Sequence, residues 1–266
     1  MSLWRKPPAR RRKKIFMTTA TGETHLVPAV LDAAMSARAI SVATLFLVML
    51  AALELTLGEA FYIYNPAVTG NQRTPADEIV AASQIETLHV LWLQPERAAK
   101  ALVNNMPGLR AAFIWCGLPA ECTIQVLERE PAFEWRQGQT RTWVDAEGVV
   151  FPARGQTPDI LVIEAAPGVP ALLPGHQVER ALVDTLLELA RVLPEVKSFR
   201  YTTERGVEFS DPQGNWPVYV GVGRSEPGEM AARVAMWKGL TANLASRNMR
   251  PKFVDVRYPQ APYYGK

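Results

Sequence analysis

AISVATLFLVMLAALELTLG, from Ala39 to Gly58, decides how the rest of the chain is read. At about 1.5 Å of rise per helical residue, this stretch matches the roughly 30 Å hydrocarbon core of a bilayer. Glu54 is its one charged residue. A carboxylate at the bilayer centre costs about 2.5–3.5 kcal/mol, so Glu54 is expected close to the outer interface, with pairing to a partner helix as the other reading. A cleaved signal peptide is the competing account, because Gly58-Glu59-Ala60 is a small-x-small triplet. Against it, residues 1–38 are too long for an ordinary basic leader, and the apolar run exceeds the usual length of about 7–15 residues. A retained single-pass anchor over 39–58 is therefore expected.

Working outward on the N-terminal side, residues 1–14 carry seven basic side chains (Arg5, Lys6, Arg10, Arg11, Arg12, Lys13 and Lys14) and no acid. Basic flanks stay in the cytoplasm, so residues 1–38 read as a cytoplasmic tail and everything after Gly58 as extracytoplasmic. The expected location is the cytoplasmic (inner) membrane, in type II orientation. Charge is unevenly distributed. Eight Lys/Arg and four acids lie through residue 60, against 21 and 22 beyond it. A nucleic-acid-binding body would present a basic surface, so no nucleic-acid partner is expected. The basic tail marks topology and can touch anionic lipid.

On the outward side, Cys116 and Cys122 are the only cysteines, and they flank a turn at Gly117-Leu118-Pro119. Oxidation is permitted in that compartment. A disulfide between them and a pair of free buried thiols both remain open readings. Two cysteines with no nearby histidine make only half a metal site. His25, His89 and His176 are far apart, and no metalloprotease or nucleophile-elbow motif occurs. Gly221-Val222-Gly223-Arg224 lacks the third glycine of a phosphate loop and reads as a strand end. No catalytic, cofactor or metal residues are assigned, and neither enzyme activity nor a small-molecule substrate is expected.

The outward part divides by pattern. Residues 61–69 read as extended, rich in aromatic and β-branched residues. Thr74-Pro75-Ala76-Asp77 opens a helix with a capping-box-like pattern. A second helix starts at Pro95 and stops before Pro107-Gly108, and strands Leu109–Trp115 and Thr123–Glu130 follow. The order over 61–131 is thus β-α-α-β-β. Over 132–259 come short strands with tight turns, a helix from about Gln177 to Leu193, a helix over about Gly228–Asn248, and a last strand at Phe253–Tyr258. The fold class is α+β: one transmembrane helix, a β-α-α-β-β domain, a second mixed β-rich domain with two helices, and a tail at 260–266.

Val68-Thr69-Gly70-Asn71, Glu128-Arg129-Glu130-Pro131, the 143–151 stretch and Val254-Asp255-Val256-Arg257-Tyr258-Pro259, in this order after one apolar span, together resemble the FtsQ/DivIB family of bacterial cell division proteins. Val68-Thr69-Gly70-Asn71 followed by Thr74-Pro75 and Glu78-Ile79 looks like the opening of the family's POTRA domain. Pro107 and Glu128-Arg129-Glu130-Pro131 look like its close. Trp143-Val144-Asp145-Ala146-Glu147-Gly148-Val149-Val150-Phe151 is similar to the family's hairpin, and Val254-Asp255-Val256-Arg257-Tyr258-Pro259 to its ending. The resemblance implies a non-enzymatic divisome scaffold at the septum. In it the POTRA domain contributes to recruitment, and the distal β-domain binds the small single-span proteins FtsB and FtsL to license septal peptidoglycan synthesis. A POTRA-bearing adaptor of another envelope assembly or export system is the alternative.

An exposed last strand offers unpaired N–H and C=O groups to which a partner strand can add. Val254, Val256, Tyr258, Pro259, Tyr263 and Tyr264 are the candidate partner-binding residues, with the tyrosines as aromatic contact surface. Pro259 and Pro262 interrupt the tail, which limits strand addition beyond Tyr258.

Overall fold

The computed structural model describes residues 16–18, 24–26, 37–155, 159–224 and 226–265. Most of the expected basic tail, including all seven basic residues of 1–14, lies outside the described residues. Within the tail, β1 (Phe16–Thr18) pairs antiparallel with β2 (Thr24–Leu26). Then α1 (Ala37–Leu57) runs unbroken, and its residues 39–57 are long and apolar enough to cross a membrane. The hydroxyls of Thr44 and Thr56 donate to the carbonyls of Ile40 and Ala52, both at 2.9 Å. Two polar groups on an apolar helix are thereby satisfied within the helix itself.

Residues 59–266 form a second compact unit. It begins with a 3-10 turn at Glu59–Phe61, and only Ala67–Thr69 (β3) of the expected extended segment is a strand. The reason lies in the aromatic residues. Phe61 stacks on His89, with ring centroids 6.1 Å apart, and Tyr62 meets the same ring edge-on at 5.0 Å and bridges to its backbone. The segment is spent covering His89 instead of pairing in a sheet.

Next come α2 (Ala76–Ser83), α3 (Pro95–Asn105), β4 (Leu109–Gly117) and β5 (Glu121–Glu128). The strands order as β3-β5-β4, with β3 parallel and β4 antiparallel to β5. This is the β-α-α-β-β order expected. One face of the sheet packs Leu109, Ile114, Ile124 and Val126 against Ile79, Ala99 and Leu102 of the two helices. The expected capping box at the start of α2 does not form. Pro75 occupies the cap position, and no side chain caps the helix. Instead, the Glu128 carboxylate accepts the backbone N–H groups of Gln72, Arg73 and Thr74 at 2.8–3.1 Å, and the Asn71 amide donates to the Thr74 carbonyl. A carboxylate from β5 thereby satisfies three amides of the turn that leads into α2, while the helix itself has no side-chain cap.

The remaining strands are β6 (Phe133–Gln137), β7 (Thr140–Val144), β8 (Val150–Pro152), β9 (Leu161–Ala165), β10 (Ser198–Thr202), β11 (Gly206–Ser210), β12 (Pro217–Tyr219), β13 (Phe253–Asp255) and β14 (Tyr263–Gly265). Among the described residues they make one sheet in the order β14-β13-β12-β11-β10-β9-β6-β7-β8. Helix α4 (Arg180–Val192) crosses between the parallel strands β9 and β10, and α5 (Glu229–Ser246) between the parallel strands β12 and β13. Leu182, Val183, Leu186 and Leu189 of α4, with Met230, Val234 and Trp237 of α5, bury one face of the sheet under Phe133, Ile163, Phe199, Val207, Val218 and Val254. Trp237 donates its indole N–H to Asp211 at 3.1 Å, and Asp211 also accepts the amides of Gln213 and Gly214. One buried carboxylate therefore shapes the β11–β12 turn and fixes α5 to it. The architecture is α+β with one N-terminal apolar helix.

Part of the resembling pattern (Glu78, Pro107, Arg129 and the 143–151 motif) meets between the two cores, joined by Arg73 and Arg154. Arg129 donates to the Pro107 carbonyl and to Asp145. Asp145 in turn accepts the amides of Glu147 and Val149 and so forms the turn of the hairpin-like motif. Arg154 grips Glu78 of α2 with two bonds at 2.5 and 2.6 Å. Arg73 lies over the buried ring of Trp143, 5.8 Å from its centroid. These charges hold the two cores against each other and enclose a small cavity of about 130 Å³.

Candidate protein-docking edge

A sheet can accept a foreign strand only at an open edge. The β8 end is closed by the chain itself. The Val150 amide donates to the His176 carbonyl, Gly175 donates back to Val150, Val149 bridges to Gln177, and Pro152 offers no N–H at all. At the other end, no described segment covers β14.

The sequence reading placed the last strand at Phe253–Tyr258. Strand β13 instead stops at Asp255, because that carboxylate turns the chain. It accepts the Arg257 amide at 3.0 Å and the Arg257 guanidinium through Nε and Nη2, the latter at 2.7 Å. Asp255 is buried, and burial alone would raise its pKa. The hydrogen bonds from Arg257 and Tyr263 outweigh that effect, so its pKa lies below the usual carboxylate range and Asp255 stays ionised. Arg257 is correspondingly held more firmly protonated by Asp255. Past the turn, Tyr263–Gly265 comes back antiparallel as β14, with Asp255 opposite Tyr263, Val254 opposite Tyr264 and Phe253 opposite Gly265. The edge is thus built from residues expected in a tail.

The six candidate partner residues separate by this geometry. Val254 and Val256 are fully buried in the core beneath α5. Tyr264 is partly buried against the same core. Tyr258, Pro259 and Tyr263 are exposed, and the Arg257 guanidinium lies 5.7 Å from the Tyr258 ring centroid. Cys116 and Cys122 sit directly opposite each other on β4 and β5 and are joined by a disulfide. That bridge belongs to the other sheet.

Sequence reasoning missed an aromatic row that leads to this edge on the sheet face away from the helices. Tyr219 meets Phe253 at 5.6 Å between centroids, and Phe253 meets Tyr263 edge-on at 5.9 Å. Arg205 caps the row, lying 4.7 Å from the Tyr219 centroid and donating to its hydroxyl at 3.0 Å. The row also explains Gly265. A Cβ there would lie 2.4 Å from the Phe253 ring, so only glycine lets β14 close on β13. Period-two alternation places Tyr219 and Phe253 outward; nothing local in the sequence could have paired them.

No family model matches the chain. It is similar to a cell division protein FtsQ of Chloroflexus aurantiacus, at 32% identity over 136 residues, covering 50% of this chain and 49% of that protein. It is also similar to a cell division protein FtsQ of Chloroflexus aggregans, at 27% identity over 241 residues, covering 88% of this chain and 84% of the relative. The first match therefore spans about half the length of the relative.

Proposed function

We infer, from a chain that is of the FtsQ type and a distant relative of these division proteins, that it works as a membrane-anchored scaffold in bacterial cell division. In this reading α1 crosses the cytoplasmic membrane with the N-terminus inside, and residues 59–266 work outside it at the division septum. They bind small single-span division proteins resembling FtsB and FtsL and thereby help license septal peptidoglycan synthesis.

One observation carries the reading: the β14 edge. It combines an uncovered strand with exposed aromatic side chains at Tyr258 and Tyr263, backed by the Tyr219–Phe253 row. A partner segment in extended form would add beyond β14. Its backbone would pair with Tyr263–Gly265, and its side chains would rest on the aromatic row. Large aromatic side chains held by packing give contact area at low entropic cost, as protein-binding surfaces need.

The test is location together with topology. A fluorescent fusion should collect at midcell, and protease added to spheroplasts should reach the C-terminal half. Diffuse envelope signal would favour an adaptor of another envelope system, and full protection from protease would reverse the orientation.

A further inference from the structure

The chain enters the three-stranded sheet at a particular end. Strand β3 is parallel to β5 with Ala67 opposite Thr123, so residues 64–66 approach the sheet where β4 and β5 turn into each other at 118–120. That end carries large apolar side chains that the protein leaves in solvent. Trp115 and Leu118 of the hairpin are each 69% exposed. On the entering segment and its neighbour, Tyr64, Leu88 and Leu91 are about half exposed and Trp92 is 74% exposed. The entering segment and its neighbour are joined through the backbone: Ile63 donates to the Leu88 carbonyl, and Thr87 donates to that of Ile63. Buried His89 holds the arrangement by contacting the rings of Phe61, Tyr62 and Trp92 and accepting the Leu91 amide on Nδ1.

Exposed side chains of this size are not needed for the core beneath them, which is closed by Ile63, Ile85 and Cys122. Their covering must come from outside. Three features select lipid. Only Gly58 separates the last residue of the apolar helix from Glu59, where this segment begins, so the chain cannot carry Phe61 more than about 14 Å beyond the helix end. The residues are of the kind that partition to a membrane–water interface: tryptophan and tyrosine with an apolar body and a polar edge, flanked by leucine. The charges in these segments are the exposed carboxylates Glu59, Glu86 and Glu121, with no Lys or Arg between 59 and 72 or between 86 and 96. This is a surface for the apolar and zwitterionic part of a headgroup layer, not for an anionic protein or nucleic acid.

We propose that the Tyr64–Trp92–Trp115–Leu118 end of residues 59–266 rests in the lipid interface of the membrane that α1 spans. The proposal depends on α1 being a membrane anchor.

The full chain can be placed in vesicles of phosphatidylcholine, with and without bromine on the acyl chains, and its tryptophan fluorescence compared. With Trp4 replaced by Phe in every sample, buried Trp135, Trp143 and Trp237 and half-buried Trp216 give a constant background. Quenching should fall by about twofold in the double variant Trp92→Phe/Trp115→Phe, because those indoles are the ones in reach of the interface. Both positions are exposed, so the variant should keep its circular dichroism and melting temperature. Unchanged quenching with the chain still floating with the vesicles overturns the proposal and leaves the anchor intact. A wild-type chain that does not float with vesicles overturns the anchor and the proposal together. Indoles shielded from bromine in a chain of doubled mass would assign the patch to a second copy, and would overturn it too.

Discussion

Arg129 Nη1 donates to Asp145 Oδ2 at 2.5 Å, and the two side chains are only 12% and 8% exposed. The first follows the last strand of the three-stranded sheet, and the second shapes the β7–β8 turn of the nine-stranded one. Breaking a buried pair by removing one partner costs more than the pair contributes, because a charge is left without compensation. Arg129 also supplies the donor to the Pro107 carbonyl. Arg129→Met is therefore expected to lower stability by about 2–4 kcal/mol. Chemical denaturation measures this, and a loss under about 0.5 kcal/mol would place the junction's strength elsewhere.

The acid limb of stability should depend on Glu128. Burial pushes its pKa up, but the amides of Thr74, Arg73 and Gln72 more than offset this, and its pKa is lowered in the folded protein. A carboxylate with a depressed folded pKa contributes stability above its unfolded value, about 4.3, and loses it as pH falls through the folded value. Glu78, lowered by its bonds to Arg154 against opposing burial, and Asp255 shift the same way. Melting temperature should thus hold steady above about pH 4.5 and fall below it. In Glu128→Gln the neutral-pH stability should drop and the acid limb should flatten. An acid limb identical to wild type would show that Glu128 is not its source.

How much of this was legible depends on how local each signal was. The long apolar helix α1, the β-α-α-β-β order and helices α4 and α5 follow from apolar run length and from periodicity within single elements. Helix α4, for example, repeats Leu182, Leu186 and Leu189 on one face. The start of α2 departs from the expected capping box because Pro75 takes the cap position, while the amides of Gln72, Arg73 and Thr74 just before it are held by Glu128, some fifty residues away. Strand β14 reads as tail because Pro259 and Pro262 break the chain just before it and it is three residues long. Its pairing follows from Asp255 turning the chain and Gly265 fitting under Phe253, and neither relation shows as a pattern in the sequence.

The Cys116–Cys122 bridge closes a loop of only a few residues on strands already paired in register. In the chain-entropy picture a loop so short gives about 2 kcal/mol. Replacing both cysteines by serine should lower stability by roughly that amount, and adding reductant to the wild-type protein should give the same loss. Hydrogen exchange would localise the effect: amides of 113–126 should lose protection while those of α4 and α5 keep theirs. Global unfolding on reduction would mean that the two cores depend on each other more closely than the separate sheets suggest.

The docking edge makes the most specific demand. Tyr258 is exposed and contacts its neighbour Arg257, so Tyr258→Lys should leave the melting temperature within about 1 °C of wild type while weakening capture of an FtsB-like partner about tenfold, or 1.4 kcal/mol. Gly265→Ala acts differently, because its methyl group would enter the space of the Phe253 ring and push β14 off β13. Capture should then fall at least as far although no exposed contact residue has changed, and the amides of 263–265 should lose exchange protection. A variant that keeps full affinity with β14 unprotected would move the partner to another surface. Loss in Tyr258→Lys alone, with Gly265→Ala unaffected, would keep the aromatic contact and discard the added strand.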